Sequence, residues 1–158
     1  MLQQKLYEYI GDNNPDVLIS LQERSEVAEW LSGKIAGIET LLTTLSSPQQ
    51  PAYIIEAACM QELTRELRPS RFLYTSAVLE SEFENHFHRL QANGILTYEL
   101  INLLTHCHPV FDAFGFSEEN EDNRFLHYAI TGTVREYLEQ RERETVDYGI
   151  QHRQAIRS

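Results

Sequence analysis

Histidine and cysteine are the residues of this 158-residue chain most suited to chemistry. Imidazole nitrogens and thiolates are ligands that Zn²⁺ prefers, and a helix presents residues four apart on one face. Glu82 and His86 have that spacing. The candidate ligands of a single metal site, taken from two successive predicted helices, are Glu82, His86, His106 and Cys107. A small metal-dependent hydrolase built on them is one hypothesis for the function.

The alternative for the same histidines is a structural role at helix ends and core edges. His86 and His88 are two residues apart, as are His106 and His108, so the two members of each pair project from nearly opposite sides of a helix. The chain has no HExxH motif and no paired CxxC motif. This interpretation predicts buried, reduced thiols, with no metal ion and no cofactor.

A second candidate site surrounds Pro69, where one predicted helix ends and the next begins. Helix N-termini favour anions, and arginine forms bidentate pairs with carboxylates. The residues involved are Arg65, Arg68, Ser70 and Arg71. They predict a site for a phosphate or for a carboxylate of a partner protein. The alternative is that Arg65 and Arg68 only cap the carbonyl groups of the preceding helix.

The element that must position these residues is a helix predicted from about residue 70 to residue 92. Its apolar residues recur at steps of three and four and therefore share one face. They are Phe72, Leu79, Phe83, Phe87 and Leu90. Gly94 is suited to the left-handed backbone that ends a helix. Because the aromatic-rich stripe is too long for one neighbour to cover, we expect this to be the central helix of a bundle.

The same periodicity predicts the other helices. One runs from about Arg24 or Ser25 to Leu45, and another begins at Pro51. An apolar helix follows Ile95, with Pro109 ending or kinking it, and the last strong helix runs from about Glu121 to Arg143. Two short helices precede these. The sequence therefore predicts an all-α, single-domain bundle of six or seven helices over residues 1–143, followed by a tail at residues 144–158.

Composition excludes several functional classes. The formal net charge of −11 disfavours nonspecific binding to nucleic acid or to anionic lipid. No apolar run approaches the ~20 residues of a membrane span, and the first residues lack a signal-peptide pattern. Two cysteines do not make a disulfide framework, so we expect a cytoplasmic protein. Phosphate-binding loops, dinucleotide fingerprints and GxSxG turns do not occur, which favours a protein that is not an enzyme.

Three segments carry a family resemblance that covers essentially the whole chain. They are LQQKLYEYI near the start, ERSEVAEWL at the beginning of the long helix, and the final helix with its RxYLE pattern. With them the chain resembles a small family of uncharacterised helical proteins carried on conjugative and integrated mobile elements of anaerobic gut and oral bacteria. The resemblance implies an accessory of mobile-element DNA processing or transfer, and it transfers no functional residue.

The first functional hypothesis is a non-enzymatic interaction module that binds a partner protein through its exposed helix faces. An alternative is an acidic mimic of nucleic acid that binds the basic groove of a DNA-handling enzyme. That alternative requires one group of carboxylates to form a single face. The group comprises Glu80, Glu84, Glu118, Glu119, Glu121 and Asp122.

The tail predicts a homodimer. It keeps apolar side chains although the bundle already has its helices, and burying them on a second subunit would offset part of the free energy of association. These residues are Val146, Tyr148, Ile150 and Ile156. The arginines of the tail, Arg153 and Arg157, would meet the acidic surface of that subunit.

Overall fold

The computed structural model describes the backbone of residues 1–157 and the side chains of residues 1–145. Over this backbone the chain forms nine α-helices and no strand, which confirms the all-α prediction. No described helix combines the length and the hydropathy that a membrane span requires. The helices are α1 (Leu2–Asn13), α2 (Pro15–Glu23), α3 (Val27–Gly37), α4 (Glu39–Leu45), α5 (Ala52–Leu63), α6 (Arg71–Glu82), α7 (Glu84–Ala92), α8 (Leu96–Phe114) and α9 (Arg124–Arg157).

The contacts of the chain divide into two compact units, residues 1–73 and the residues from 74 onward. In the first unit α1 packs against α2, α3 and α5, and an ion pair joins Lys5 to Glu56. Its core is the cluster Leu6, Ile10, Leu21, Leu31, Ile38, Cys59 and Leu63. A single bundle over residues 1–143 stays a prediction.

In the second unit α8 packs along α9, and α7 packs against α8. The facing stripes of α8 and α9 are buried, as their helical spacing predicts. The buried residues of these two stripes are Leu100, Leu103, Leu104, Cys107 and Phe111 on α8, and Leu126, Ile130, Val134 and Leu138 on α9. Both cysteines of the chain are free and buried, as predicted.

The predicted number of helices is wrong because two expected helices are each interrupted. The helix expected from about residue 25 to Leu45 begins at Val27 and breaks at Ile38, where φ is −110° and ψ is 8°. The central helix expected over residues 70–92 is α6 and α7, which Phe83 separates with φ −137° and ψ 50°. A break of one residue leaves the three- and four-residue spacing of apolar side chains intact, so the periodicity predicts one continuous helix.

Of the two outcomes expected for Pro109, an end or a kink of the helix, the end is wrong, since this proline lies inside α8. Proline removes one backbone hydrogen bond, but the turn after it is fixed by packing. Phe111 is fully buried, and its ring centroid lies 5.4 Å from that of Tyr74 and 4.7 Å from that of Phe116. The helix ends instead at Gly115, whose φ of 60° is left-handed.

The last helix begins three residues later than predicted, at Arg124 rather than Glu121. The Oδ1 atom of Asn123 accepts hydrogen bonds from the backbone N–H groups of Phe125 (2.8 Å) and Leu126 (3.1 Å) and so caps the helix. The helix also continues past Arg143 to Arg157. The dimer contacts predicted for the tail involve side chains beyond residue 145, which are outside the described residues.

Candidate functional site

A groove of the second unit lies where α7, the start of α8 and the middle of α9 meet. Its volume is about 640 Å³, within the roughly 300–1,000 Å³ of ligand pockets. Leu90, Ile95 and Leu138 form its apolar floor. The polar residues that line it are His86, Arg89, Asn93, Glu99, Arg141, Glu142 and Thr145.

Local sequence explains how α7 and α8 reach this groove. α7 is amphipathic: Phe87 is buried in the unit, whereas Arg89 is exposed. The left-handed Gly94, with φ 72°, ends α7 and allows the chain to turn, as predicted. Ile95 is the N-cap of α8, and no side chain caps that helix end. The apolar Ile95, which lines the groove, therefore occupies a position where a polar cap is more usual.

One wall of the groove is a hydrogen-bonded cluster centred on Glu99, whose side chain is only 11% exposed. The Tyr137 hydroxyl donates to Oε2 of Glu99 over 2.9 Å, and Nη2 of Arg141 donates to Oε1 over 2.6 Å. Burial, together with the hydrogen bond to Glu99, raises the pKa of Tyr137 to about 12. The same carboxylate raises the pKa of Arg141. The cluster is therefore a neutral phenol and a guanidinium that share one carboxylate.

A second cavity, of about 410 Å³, lies between α8 and α9 and shares Arg141 with the groove. The His106 ring lines it and lies 5.2 Å from the ring of Tyr137, measured between centroids. Glu144 also lines this cavity, with Oε2 3.8 Å from Nη1 of Arg141. Arg141 thus forms ion pairs with carboxylates on two sides.

The outer rim of the groove carries two basic residues, His86 and Arg89, that differ in their contacts. Nε2 of His86 lies 3.0 Å from Oε1 of Glu142. Arg89 has no ion-pair partner among the residues whose side chains are described. Its guanidinium is therefore the group on this rim that is available to a bound carboxylate.

The structure does not bring the four predicted metal ligands together. Glu82 pairs with His127, at 3.3 Å between Oε1 and Nε2, while His86 pairs with Glu142. His106 packs on Tyr137, and burial raises the pKa of the Cys107 thiol to about 12. Within residues 1–145, no group of three or more His, Cys, Asp or Glu side chains has the geometry to hold a metal ion.

The residues of the predicted anion site make local structural contacts in the first unit. Arg65 pairs with Glu62 at 3.2 Å, and Arg68 donates to the carbonyl oxygen of Gln61 over 3.0 Å. The Ser70 hydroxyl donates to the carbonyl oxygen of Asn13 and accepts from the backbone N–H of Leu73, at 3.1 Å. Arg71 is the first residue of α6. The contact of Arg68 is of the kind that the capping alternative expects, whereas that of Arg65 is an ion pair; binding of a phosphate there stays a prediction.

The carboxylates expected to form one acidic face have varied surroundings. Oε1 of Glu84 lies 3.5 Å from Nε2 of His88, one turn further along α7. Asp122 lies close enough to Tyr74 to raise the pKa of that phenol, in addition to the larger effect of burial. Glu118 and Glu119 lie in the turn that Asn120 closes by donating to the carbonyl oxygen of Phe114. The acidic face stays a prediction.

Sequence reasoning did not find Glu99, Arg141 or Arg89. The Glu99 carboxylate lies 38 and 42 residues from its two partners, so no local spacing indicates the cluster. Tyr137 follows Ile130 and Val134 at steps of four and three, a spacing that predicts the buried face of the last helix, and a buried phenol needs a hydrogen-bond partner. That requirement is the only signal in the sequence for a polar group on the facing helix.

Comparison with known proteins provides no further evidence on the function of this chain. The chain matches no protein-family model, no curated protein and no solved structure. The groove and its Glu99 cluster are therefore the features from which we argue function.

Proposed function

We propose that this chain is a non-enzymatic interaction module that binds a short segment of a partner protein in the groove between α7, α8 and α9. One observation carries the proposal: an apolar floor of Leu90, Ile95 and Leu138 lies beside Arg89, whose guanidinium has no ion-pair partner among the side chains of residues 1–145. Apolar grooves with a few fixed polar groups are typical binding sites.

The chemistry of the surrounding groups favours binding over catalysis. A nucleophile or general base needs a pKa near the working pH, whereas that of Tyr137, which donates to Glu99 in the wall of the groove, is raised to about 12. Glu99 already accepts two hydrogen bonds, one from Tyr137 and one from Arg141. A wall of mutually satisfied groups is rigid, which suits a preformed binding surface.

The lining predicts the chemistry of the bound segment. An aliphatic side chain fits the floor, and a carboxylate next to it would pair with Arg89. A strongly acidic segment is disfavoured, because residues 74–145 contain thirteen Asp and Glu but only five Arg and no Lys. The preferred ligand is therefore a leucine- or isoleucine-containing segment with a single carboxylate. The family resemblance supports a partner from the DNA-processing or transfer apparatus of a mobile element.

The test is a selection from a random peptide library displayed on phage, followed by affinity measurements on variants. Ile95→Asp places a charge on the apolar floor of the groove but supplies the missing N-cap of α8, so the variant should fold. Tyr53→Asp is the matched control, since Tyr53 is 71% exposed in the first turn of α5 in the other unit.

We expect the selected peptides to share an aliphatic residue beside Asp or Glu. We also expect Ile95→Asp and Arg89→Glu to weaken their binding by about tenfold or more, which corresponds to about 1.4 kcal/mol, and Tyr53→Asp to leave it unchanged. Equal binding to all three variants would contradict the proposal, as would selected peptides with no common residue type.

A further inference from the structure

The face of α9 that points away from α8 carries two exposed aromatic side chains. Phe125 is 60% exposed and Tyr128 is 63% exposed, although Leu126 and Ile130 on the opposite face are fully buried. The guanidinium of Arg124 lies 5.3 Å from the centroid of the Phe125 ring. Exposed aromatic pairs of this kind are typical of interaction surfaces.

Gly132 lies on the same face, one helical turn after Tyr128. A Cβ atom at this position would meet no atom within 4 Å, so no contact inside the chain requires glycine. Glycine weakens a helix interior, but it allows the backbone of another helix to approach closely. The centre of this face is thus shaped for close packing.

The sequence on either side of Gly132 is complementary to itself. Tyr128 lies four residues before it and Glu136 four residues after, while Phe125 and Glu139 lie seven residues before and after. If two antiparallel copies cross at Gly132, a residue that lies a given number of positions before the glycine in one copy faces the residue the same number of positions after the glycine in the other. Among the side chains that the structure describes, Glu136 and Glu139 have no ion-pair partner.

We propose that the chain forms a two-fold dimer in which the α9 helices of two copies pack antiparallel across Gly132. In this arrangement the Tyr128 hydroxyl donates to the partner's Glu136. Arg124, which covers the Phe125 ring, pairs with the partner's Glu139. Both contacts occur twice, as two-fold symmetry requires. The residues of this face are distinct from those that line the groove, so the dimer does not depend on the proposed function.

The crossing point can be tested by disulfide formation in the full chain. A two-fold axis through Gly132 brings the two copies of this residue together, so Gly132→Cys should form a disulfide-linked dimer under mild oxidation. Glu136→Cys is the control on the same face. The two copies of residue 136 would lie eight helical positions apart, about 12 Å, which exceeds the roughly 7 Å limit for Cα atoms in a disulfide. The native cysteines, Cys59 and Cys107, are buried, so the unmodified chain serves as the control for disulfides that form without the introduced cysteine.

Light scattering provides the second measurement. We expect a dimeric mass for the unmodified chain and at least a tenfold weaker dimer for Tyr128→Glu. Tyr98→Glu, at a position 67% exposed on α8, should leave the dimer unchanged. The charge exchange Arg124→Glu with Glu139→Arg should restore the dimer that either single change weakens. A monomeric mass for the unmodified chain would overturn the proposal, and so would equal crosslinking of the two cysteine variants.

Discussion

The Cys107 thiol is fully buried between helices, and burial raises its pKa from 9.0 to about 12. Because the unfolded chain loses this proton first, the stabilisation is complete below pH 9 and is lost as the pH rises toward 12. Between pH 8 and pH 10 we expect Cys107 to lower the free energy of unfolding by about 1.4 kcal/mol. Urea unfolding at both pH values measures this difference.

Cys107→Ala is the variant for that measurement. It leaves a small cavity and lowers stability at both pH values, but its free energy of unfolding should fall less between them. If the variant and the unmodified chain show the same dependence on pH, the assignment of the alkaline effect to this thiol is wrong.

The Tyr137 hydroxyl donates to Glu99, whose carboxylate is largely buried. Tyr137→Phe keeps the ring but leaves Oε2 of Glu99 without this donor, so we expect a loss of about 1 to 2 kcal/mol in the free energy of unfolding. Tyr98→Phe is the control, since the Tyr98 side chain is 67% exposed. Chemical unfolding that gives equal stabilities for these two variants would contradict a structural role for the Glu99 cluster.

For single residues, the sequence predicts burial well, but it does not predict which side chains contact each other. Cys107, Leu126, Ile130 and Val134 lie on the predicted faces, because helical periodicity alone determines the face. The pairing of Glu99 with Arg141 depends on the register of α8 against α9. That register results from packing along the whole interface and has no local signature.

The left-handed backbone of Gly115 ends α8. Gly115 has φ 60° and ψ 51°, a left-handed conformation in which any Cβ is strained. Gly115→Ala should therefore lower the free energy of unfolding by about 1 kcal/mol. Gly33→Ala is the matched control: Gly33 lies inside α3 with open space around its Cα, so alanine should raise stability by about 0.5 to 1 kcal/mol.

Thermal or urea unfolding of the two variants shows whether each alanine raises or lowers the free energy of unfolding. If both alanines stabilise the chain, the left-handed end of α8 is not present in solution. If both destabilise it, Gly33 has a contact that the fold does not show.

The boundaries of the elements illustrate why periodicity predicts helices but not their interruptions. Phe83 leaves the helical conformation between α6 and α7, where its ring lies 5.7 Å from the Arg135 guanidinium on α9. Pro109 stays inside α8 because Phe111 after it is buried. In both places tertiary packing overrides the local preference, and tertiary contacts are absent from a one-dimensional pattern.

For the molecule as a whole, the dominant physical property is a formal net charge of −11 with a sequence pI of about 4.9. Repulsion among the carboxylates destabilises the compact state, and salt screens it. At pH 7 we expect an increase in NaCl from about 0.01 M to about 0.1 M, which shortens the Debye length from about 30 Å to about 10 Å, to raise the thermal midpoint. The expected increase is about 3 °C, equivalent to about 1 kcal/mol for a chain of this length.

Repeating the experiment near pH 5 is the control, because the net charge is close to zero there. The salt response should then largely disappear. An equal response at both pH values would mean that salt acts on specific ion pairs or on hydration rather than on the overall charge.

The all-α class follows from the sequence because every long segment has helical periodicity and strand patterns are scarce. The division of contacts at residue 73 does not follow, since it lies within α6 rather than at Pro69, where the sequence marks a helix boundary. Such a division depends on which helices contact each other, and the sequence pattern leaves that choice open.

Arg141 lines both the groove and the neighbouring cavity, so a ligand that moves its guanidinium in one space changes the other. A molecule in the groove that attracts this guanidinium draws it away from Glu144 and changes the wall of the cavity. Thermodynamic linkage then requires the effect to be mutual: whatever binds in one space alters the affinity of the other by the same factor. For such a ligand, the single side chain of Arg141 couples binding in the groove to binding in the cavity.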